Sequence, residues 1–74
     1  MEDFIANLKE NVDAFEGVEI TGDTDFNSLP DWDSIAVLSV MAMIASEYGL
    51  NIKSAEISGA KSVRDLWNIV GAKS

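Results

Sequence analysis

The sequence predicts a small all-α bundle of three main helices plus one short helix, with a long loop between the first and second main helices. Three observations support this fold class. Apolar residues recur at helical spacing in three segments, and no segment alternates apolar and polar residues as a half-buried strand does. The chain of 74 residues is also long enough for only one modest core. We therefore expect a single domain over residues 1–74.

The first helix is predicted over residues 3–15, followed by a loop over residues 16–33. Four apolar residues stand at steps of three and four and share one helical face: Ile5, Leu8, Val12 and Phe15. Gly17 follows closely enough to end the helix in a left-handed conformation. The loop shows no such periodicity and is rich in turn-forming residues. Four apolar residues in it could pack it onto the bundle: Val18, Ile20, Phe26 and Leu29.

The second helix is predicted over residues 34–48, and both of its ends carry specific signals. Asp33 is a favoured N-cap residue, which places Ser34 at the first helical position. At the other end, Gly49 and Leu50 are typical of a Schellman motif, in which a left-handed glycine ends the helix.

A short helix and a longer one complete the predicted fold. Ser54 is positioned to cap a short helix over residues 55–59. The last helix is predicted over residues 62–71, because Ser62 with Asp65 three residues later resembles a capping box. Four apolar residues then form a helical stripe: Val63, Leu66, Trp67 and Val70.

The composition excludes several kinds of chemistry. The chain contains no cysteine and no histidine, so thiol nucleophiles, Ser-His relays and the usual zinc sites are absent from it. With 13 acidic and 5 basic residues, its formal charge of -8 repels nucleic acids and anionic membranes, so we expect basic proteins as partners. No nucleic-acid or membrane partner is expected.

The N-terminus and the apolar segments indicate the cellular location. The chain begins Met-Glu-Asp, where a signal peptide would need a basic segment followed by an apolar one. Its longest apolar stretch, residues 35–45, is interrupted at Ser39 and is much shorter than the roughly 20 residues that span a bilayer. We therefore expect a cytoplasmic protein.

The segment Asp33-Ser34-Ile35 resembles the Asp-Ser-Leu signature of acyl carrier proteins, in which the serine receives phosphopantetheine from coenzyme A. The context extends the resemblance over essentially the whole chain. The segment opens a long helix after a long loop, the helix closes with an acidic-aromatic-glycine ending at Glu47-Tyr48-Gly49, and Ser62-Val63 opens a final helix.

This resemblance implies an acyl-carrier-like bundle with phosphopantetheine attached covalently to Ser34. It implies that Asp33 caps the helix and lies beside the magnesium ion that a phosphopantetheinyl transferase brings with its substrate, so Asp33 takes part in transferase recognition. It also implies that other enzymes load and process acyl or aminoacyl groups, held as thioesters on the arm. The chain itself would then be a monomeric carrier without catalysis of its own.

The position of Ser34 agrees with the resemblance on physical grounds. A hydroxyl at the first helical position faces solvent, next to free backbone N–H groups and the positive end of the helix dipole, and this environment suits an anionic modification. The alternative interpretation is that Ser34 only helps to begin a helix.

A helical wheel assigns two faces to the second helix. The predicted core face holds six residues: Val37, Leu38, Met41, Ile44, Ala45 and Tyr48. The opposite face carries Glu47 as its only charge, whereas in typical fatty-acid carriers several of its positions are acidic. We therefore expect an apolar mode of partner recognition and a specialised pathway. The predicted partner contacts are Ile35, Ala36, Ser39, Val40, Met43 and Glu47. Cargo lying between the second and last helices is predicted to contact Leu38, Met41, Ile57 and Leu66.

Other hypotheses remain for parts of the sequence. Four loop residues occupy the first, third, fifth and ninth places of an EF-hand calcium loop: Asp23, Asp25, Asn27 and Asp31. The sixth place is Ser28 instead of glycine and the twelfth is Ser34 instead of glutamate, so no EF-hand or other defined metal site is predicted. Weak binding of divalent ions by the clustered carboxylates, which would relieve their repulsion, stays open. The two tryptophans, Trp32 and Trp67, are interpreted as packing residues rather than ligand platforms.

Two other function classes also remain open. A non-carrier helical interaction module would have an apolar helix face and no modification at Ser34. An enzyme using the loop carboxylates is the weaker alternative, because no second catalytic group accompanies them.

Overall fold

The computed structural model describes residues 1–73 as a bundle of four α-helices with two 3-10 turns. The α-helices are α1 (Glu2–Asn11), α2 (Ser34–Tyr48), α3 (Ser54–Gly59) and α4 (Val63–Lys73). The 3-10 turns are Asp13–Phe15 and Phe26–Ser28. No strand occurs in this part of the chain, so the predicted all-α bundle of three main helices and one short helix is confirmed.

The first helix is shorter than predicted, because the chain leaves the helical conformation at Val12. This β-branched residue has extended dihedral angles (φ −122°, ψ 110°), although its N–H still donates to the Leu8 carbonyl. The following 3-10 turn places the side chain of Phe15 in the core, with its ring 5.9 Å from that of Trp32. The apolar spacing predicted one continuous helix to Phe15. Val12 and Phe15 reach the same core, but the helix is interrupted at Val12 before the 3-10 turn begins. Gly17 is left-handed as predicted, with φ 73°.

Aromatic contacts show that α1 and α2 run antiparallel. Phe4, near the start of α1, lies 6.0 Å from Tyr48 at the end of α2, and the Asn7 side chain donates to the Tyr48 hydroxyl over 3.4 Å. At the other end, Phe15 follows α1 and meets Trp32, which precedes α2. Trp67 of α4 packs against both Phe4 (5.2 Å) and Tyr48. The predicted packing role of Trp32 and Trp67 is therefore confirmed.

The long loop is held against the start of α4 by backbone hydrogen bonds. The Val63 N–H donates to the Thr24 carbonyl (3.1 Å), and the Arg64 N–H donates to the Gly22 carbonyl (2.9 Å). These bonds satisfy two N–H groups that a helix start leaves without intrahelical partners. The Arg64 guanidinium also pairs with the Asp23 carboxylate. The loop is therefore packed by its own contacts, as its apolar residues predicted.

The ends of α3 and α4 carry side-chain caps. At α4 the Asp65 N–H donates to the Ser62 hydroxyl and the Ser62 N–H donates to the Asp65 carboxylate, both over 3.3 Å, which confirms the predicted capping box. At α3 the prediction was wrong by one residue. Ser54 is itself helical, and the cap residue is Lys53, whose N–H donates to the Glu56 carboxylate over 3.2 Å.

One hydrophobic core joins all four helices and the loop. Its largest fully buried side chains are Phe4, Leu8, Phe15, Phe26, Ile44, Ile57 and Leu66. No helix within residues 1–73 is long and apolar enough to cross a membrane.

Candidate functional site

Asp33 fixes the start of α2 through two hydrogen bonds. Its backbone is extended (φ −148°, ψ −172°), its side-chain oxygen Oδ1 accepts from the Ala36 N–H (2.9 Å), and its carbonyl accepts from the Val37 N–H (3.1 Å). Asp33 is therefore the N-cap residue, and the predicted range of 34–48 for this helix is confirmed. At the far end Gly49 is left-handed as predicted (φ 66°). Its N–H donates to the Ala45 carbonyl, so the helix ends in an αL motif and not in the predicted Schellman motif.

Ser34 occupies the first position of α2 and is exposed. Its hydroxyl makes no hydrogen bond to any residue in the range 1–73, so an approaching reagent displaces only water there. The backbone N–H groups of Ser34 and Ile35 likewise have no acceptor in this range. These groups and the helix dipole create a partial positive charge beside the hydroxyl. The local environment therefore suits a phosphodiester, and the residues present fit a phosphopantetheine arm.

The structure corrects the predicted faces of α2 only in part. Ile44 is fully buried as predicted, and Val37, Met41 and Tyr48 are half-buried against the core. Ala36, Val40 and Met43 were predicted to face outward, but their side chains are buried in the core, with exposures of 5%, 0% and 3%. Leu38, predicted in the core, is 61% exposed, and Ala45 is exposed as well. A docking surface made of Ala36, Val40 and Met43 is therefore excluded in this conformation.

The weak amphipathic pattern of α2 explains the error. Its 15 residues, SIAVLSVMAMIASEY, include a single charge, so apolar residues occur on every side of the helix. A helical wheel identifies the core side of a helix by the contrast between apolar and polar residues. In α2 this contrast is too weak to distinguish the buried side from the exposed side. Glu47 lies in the last turn, so its charge does not indicate which side of the preceding turns faces solvent.

An uncharged strip of exposed residues begins beside Ser34 and runs along α2. We call four of its residues the α2 stripe: Ile35, Leu38, Ala42 and Ala45. Ile35 and Leu38 are 71% and 61% exposed, which is high for large aliphatic side chains. At 100° per residue, all four lie within about 100° of Ser34 around the helix. Ile35 remains a predicted partner contact, as do the half-buried Ser39 and the exposed Glu47. The helical wheel assigned Ala42 to neither face.

A cleft with a volume of about 340 Å³ adjoins the other side of the helix start. We call it the acidic cleft, because three carboxylates line it: Asp13, Asp31 and Asp33. Its remaining lining residues are Ala14, Pro30, Trp32, Ile35, Ala36 and Ser39. The contact between Phe15 and Trp32 brings the turn after α1 next to the segment before α2. Because residues distant in sequence form it, the cleft could not be predicted from sequence spacing.

The acidic residues of the EF-hand hypothesis are spread over separate contacts. Asp23 pairs with Arg64, and Asp25 Oδ1 accepts from the Asn27 N–H (3.1 Å) at the start of a 3-10 turn. Within residues 1–73, no group of three or more acidic residues is arranged to hold a metal ion.

Comparison with protein families assigns the chain to one family. The family described as phosphopantetheine attachment site matches residues 4–70, which is most of the chain. The chain belongs to this phosphopantetheine attachment family. Comparisons with curated proteins and with solved structures found no match. Membership confirms the resemblance to acyl carrier proteins and identifies the domain as a site of covalent phosphopantetheine attachment.

The family supports a carrier role for this domain. Its members are in general carriers that act together with phosphopantetheinyl transferases and biosynthetic enzymes. The four predicted cargo contacts of this phosphopantetheine carrier differ in exposure. Ile57 and Leu66 are fully buried, Met41 is half-buried, and Leu38 points to solvent. A contact between Leu38 and cargo would therefore form outside the core, contrary to the predicted placement.

Proposed function

We propose that the protein carries acyl or aminoacyl intermediates as thioesters on a phosphopantetheine arm attached to Ser34, in a specialised biosynthetic pathway. The observation that supports Ser34 most directly is its exposed hydroxyl, free of hydrogen bonds, at the first position of α2. The family match covers this position, since it extends over residues 4–70.

Attachment at Ser34 requires a nucleophilic hydroxyl and a partner enzyme. The Ser34 Oγ attacks the phosphorus atom of coenzyme A that bears the pantetheine, and a new P–O bond forms. The pyrophosphate bond to 3′,5′-ADP breaks, and the transferase takes up the hydroxyl proton. The free N–H groups at the start of α2 then stabilise the phosphodiester. Asp33 is already held as the cap, so its other carboxylate oxygen can face the transferase and its magnesium ion.

The arm provides the chemical function, and the chain provides its position. A thioester at the end of a tether has a high local concentration at any active site that docks the domain. The chain has no histidine or cysteine, and its only described ion pairs join surface residues, so we propose no catalytic role for it.

The chemistry of α2 supports a specialised pathway. Its exposed face carries the uncharged α2 stripe, and Glu47 is the only charged residue in the helix. Enzymes with basic docking patches, which suit carriers with an acidic second helix, would gain little electrostatic attraction from this surface. The specific residues of the face differ from the predicted ones, but Glu47 is the only charge on any side of the helix.

The attachment is tested by intact-mass measurement after incubation with coenzyme A and a broad-specificity phosphopantetheinyl transferase. The wild-type chain is expected to gain the mass of one phosphopantetheine, and Ser34→Ala is expected to gain none. Ser46→Ala is the matched control, because Ser46 is exposed on the same helix. An unmodified wild-type chain would instead favour a non-carrier interaction module, and modification of Ser34→Ala would contradict the assigned residue.

The pathway is tested with the modified protein and a chain-extending enzyme of fatty-acid synthesis. We expect acyl transfer from this carrier to be much slower than transfer from a housekeeping fatty-acid carrier under the same conditions. Equal rates would contradict a specialised role without affecting the attachment at Ser34.

A further inference from the structure

An arm attached to Ser34 has two different surfaces within reach. The acidic cleft lies against the segment that precedes α2, and its carboxylates belong to Asp13, Asp31 and Asp33. None of the three belongs to an ion pair within residues 1–73. The α2 stripe runs from the helix start toward its far end and carries no charge. Because a phosphodiester is repelled by the carboxylates, the electrostatic energy favours an arm that leaves Ser34 along the stripe.

The α2 stripe continues the line on which Ser34 stands. At 100° per residue, Leu38 lies about 40° and Ala45 about 20° from Ser34 around the helix axis, about one and three turns further along. Ala42 lies between them, about 80° from Ser34. Eleven helical steps of about 1.5 Å put Ala45 about 16 Å beyond Ser34. A chain that runs parallel to the axis from Ser34 therefore passes over Leu38 and reaches Ala45 without meeting a charged residue of α2.

The dimensions and chemistry of the arm match this line. From its phosphorus atom to its sulfur atom the arm has about as many bonds as four extended residues, which corresponds to roughly 15 Å. Its geminal methyl groups lie close to the phosphate and can cover Ile35 and Leu38, which are 71% and 61% exposed. Its amide groups follow, where the small side chains of Ala42 and Ala45 let a chain approach the helix closely. The thiol then lies near Ala45.

We propose that the phosphopantetheine arm of the free carrier rests on the α2 stripe, with its geminal methyl groups on Ile35 and Leu38 and its thiol near Ala45. This proposal rests on the proposed carrier function. A tether gives the arm a millimolar effective concentration at the stripe, so a contact with a dissociation constant of about 1 mM is occupied about half of the time. Ile57 and Leu66, which were predicted to contact cargo, stay buried in this arrangement.

NMR spectra of the unmodified and modified wild-type protein test the contact directly. We expect amide and methyl shifts to change from Ser34 as far as Ala45, together with nuclear Overhauser effects between the geminal methyl groups and the Leu38 methyl groups. Shift changes confined to residues 33–36 would overturn the proposal, because the arm would then be free beyond its phosphate. Nuclear Overhauser effects to Ile57 would also overturn it, because the arm would then enter the core.

The reactivity of the arm gives a second measurement. The chain has no cysteine, so the thiol of the arm is the only thiol in the modified protein. Ala42→Glu puts a charged side chain on the α2 stripe. Ala6→Glu is the matched control, because both alanines are exposed and helical and both variants change the charge equally. Circular dichroism checks that both variants fold.

The thiol is alkylated with a neutral reagent, and the reaction is followed by intact mass. We expect Ala42→Glu to react about twofold faster than the wild type, because half occupancy shields the thiol about half of the time. Ala6→Glu is expected to react at the wild-type rate. Equal rates for the two variants would overturn the arm contact and leave the carrier function intact. A wild-type chain that gains no phosphopantetheine would overturn the proposed function itself.

Discussion

Truncations of Val40 and Leu38 test the orientation of α2, on which the α2 stripe and the α2 side of the acidic cleft depend. Val40→Ala removes two methyl groups from a fully buried side chain. At about 0.8 kcal/mol for each buried carbon, with a further cost for the cavity left behind, the free energy of unfolding should fall by about 2–3 kcal/mol. Leu38→Ala removes three carbons, but that side chain is 61% exposed, so the expected cost is below about 1 kcal/mol. The smaller truncation should therefore be the more destabilising one.

Urea unfolding followed by circular dichroism measures both free energies, and an unchanged m-value shows that the comparison is sound. A domain of this size has about 3–5 kcal/mol to lose, so Val40→Ala should stay folded at 25 °C with little margin. A loss of 2 kcal/mol corresponds to a fall in Tm of about 8–16 °C. If Leu38→Ala proved more destabilising than Val40→Ala, α2 would present the face that the helical wheel predicted. The α2 stripe would then be part of the core.

Asp33→Ala should lower the free energy of unfolding by about 1 kcal/mol, because the Ala36 N–H loses its acceptor; chemical denaturation measures this, and an unchanged stability would contradict the cap. Gly49→Ala should cost about 1 kcal/mol by the same assay, because alanine is disfavoured at φ 66°. The Lys53 backbone N–H, helped by the Lys73 ammonium, lowers the pKa of Glu56. The Glu56 carboxylate therefore contributes stability that is fully present above the pKa of the unfolded state. This stability is lost as the pH falls through the lowered pKa of the folded state. Carboxyl NMR titration checks this, and a pKa at or above the ordinary value would contradict it.

The helix termini could be predicted from sequence because local residues determine them. The Asp33 cap and the left-handed Gly49 bound α2 as expected, and the Ser62–Asp65 box precedes α4. Each signal acts within about four residues, so it needs no knowledge of the tertiary fold. The end of α1 is different. Its break at Val12 reflects the tertiary contact of Phe15 with Trp32, which the spacing of apolar residues cannot reveal.

The faces of α2 could not be predicted, because the helix lacks the polar contrast on which such predictions depend. Ala36 and Ala45 are both small and apolar, yet one is buried and the other is exposed. Only the packing of the other helices against α2 decides between them. The position of Ser34 was less sensitive to this ambiguity, because the first residue of a helix that follows an exposed cap is open to solvent on either orientation. The exposure of Ser34 was therefore predictable, whereas the surface around it was not.

The segment before Ser34 is packed on the core, while Ser34 itself is exposed. Trp32, two residues before Ser34, packs edge-on against Phe15 (5.9 Å) and Phe26 (4.7 Å), and Asp33 ties the next turn of backbone to its side chain. Aromatic packing therefore anchors the chain immediately before the helix, so the base of an arm on Ser34 would be fixed to the core. A rigid base keeps the arm within a defined radius of a docked active site, which maintains the high effective concentration of the cargo. Loosening this aromatic cluster should therefore weaken delivery of cargo to every partner.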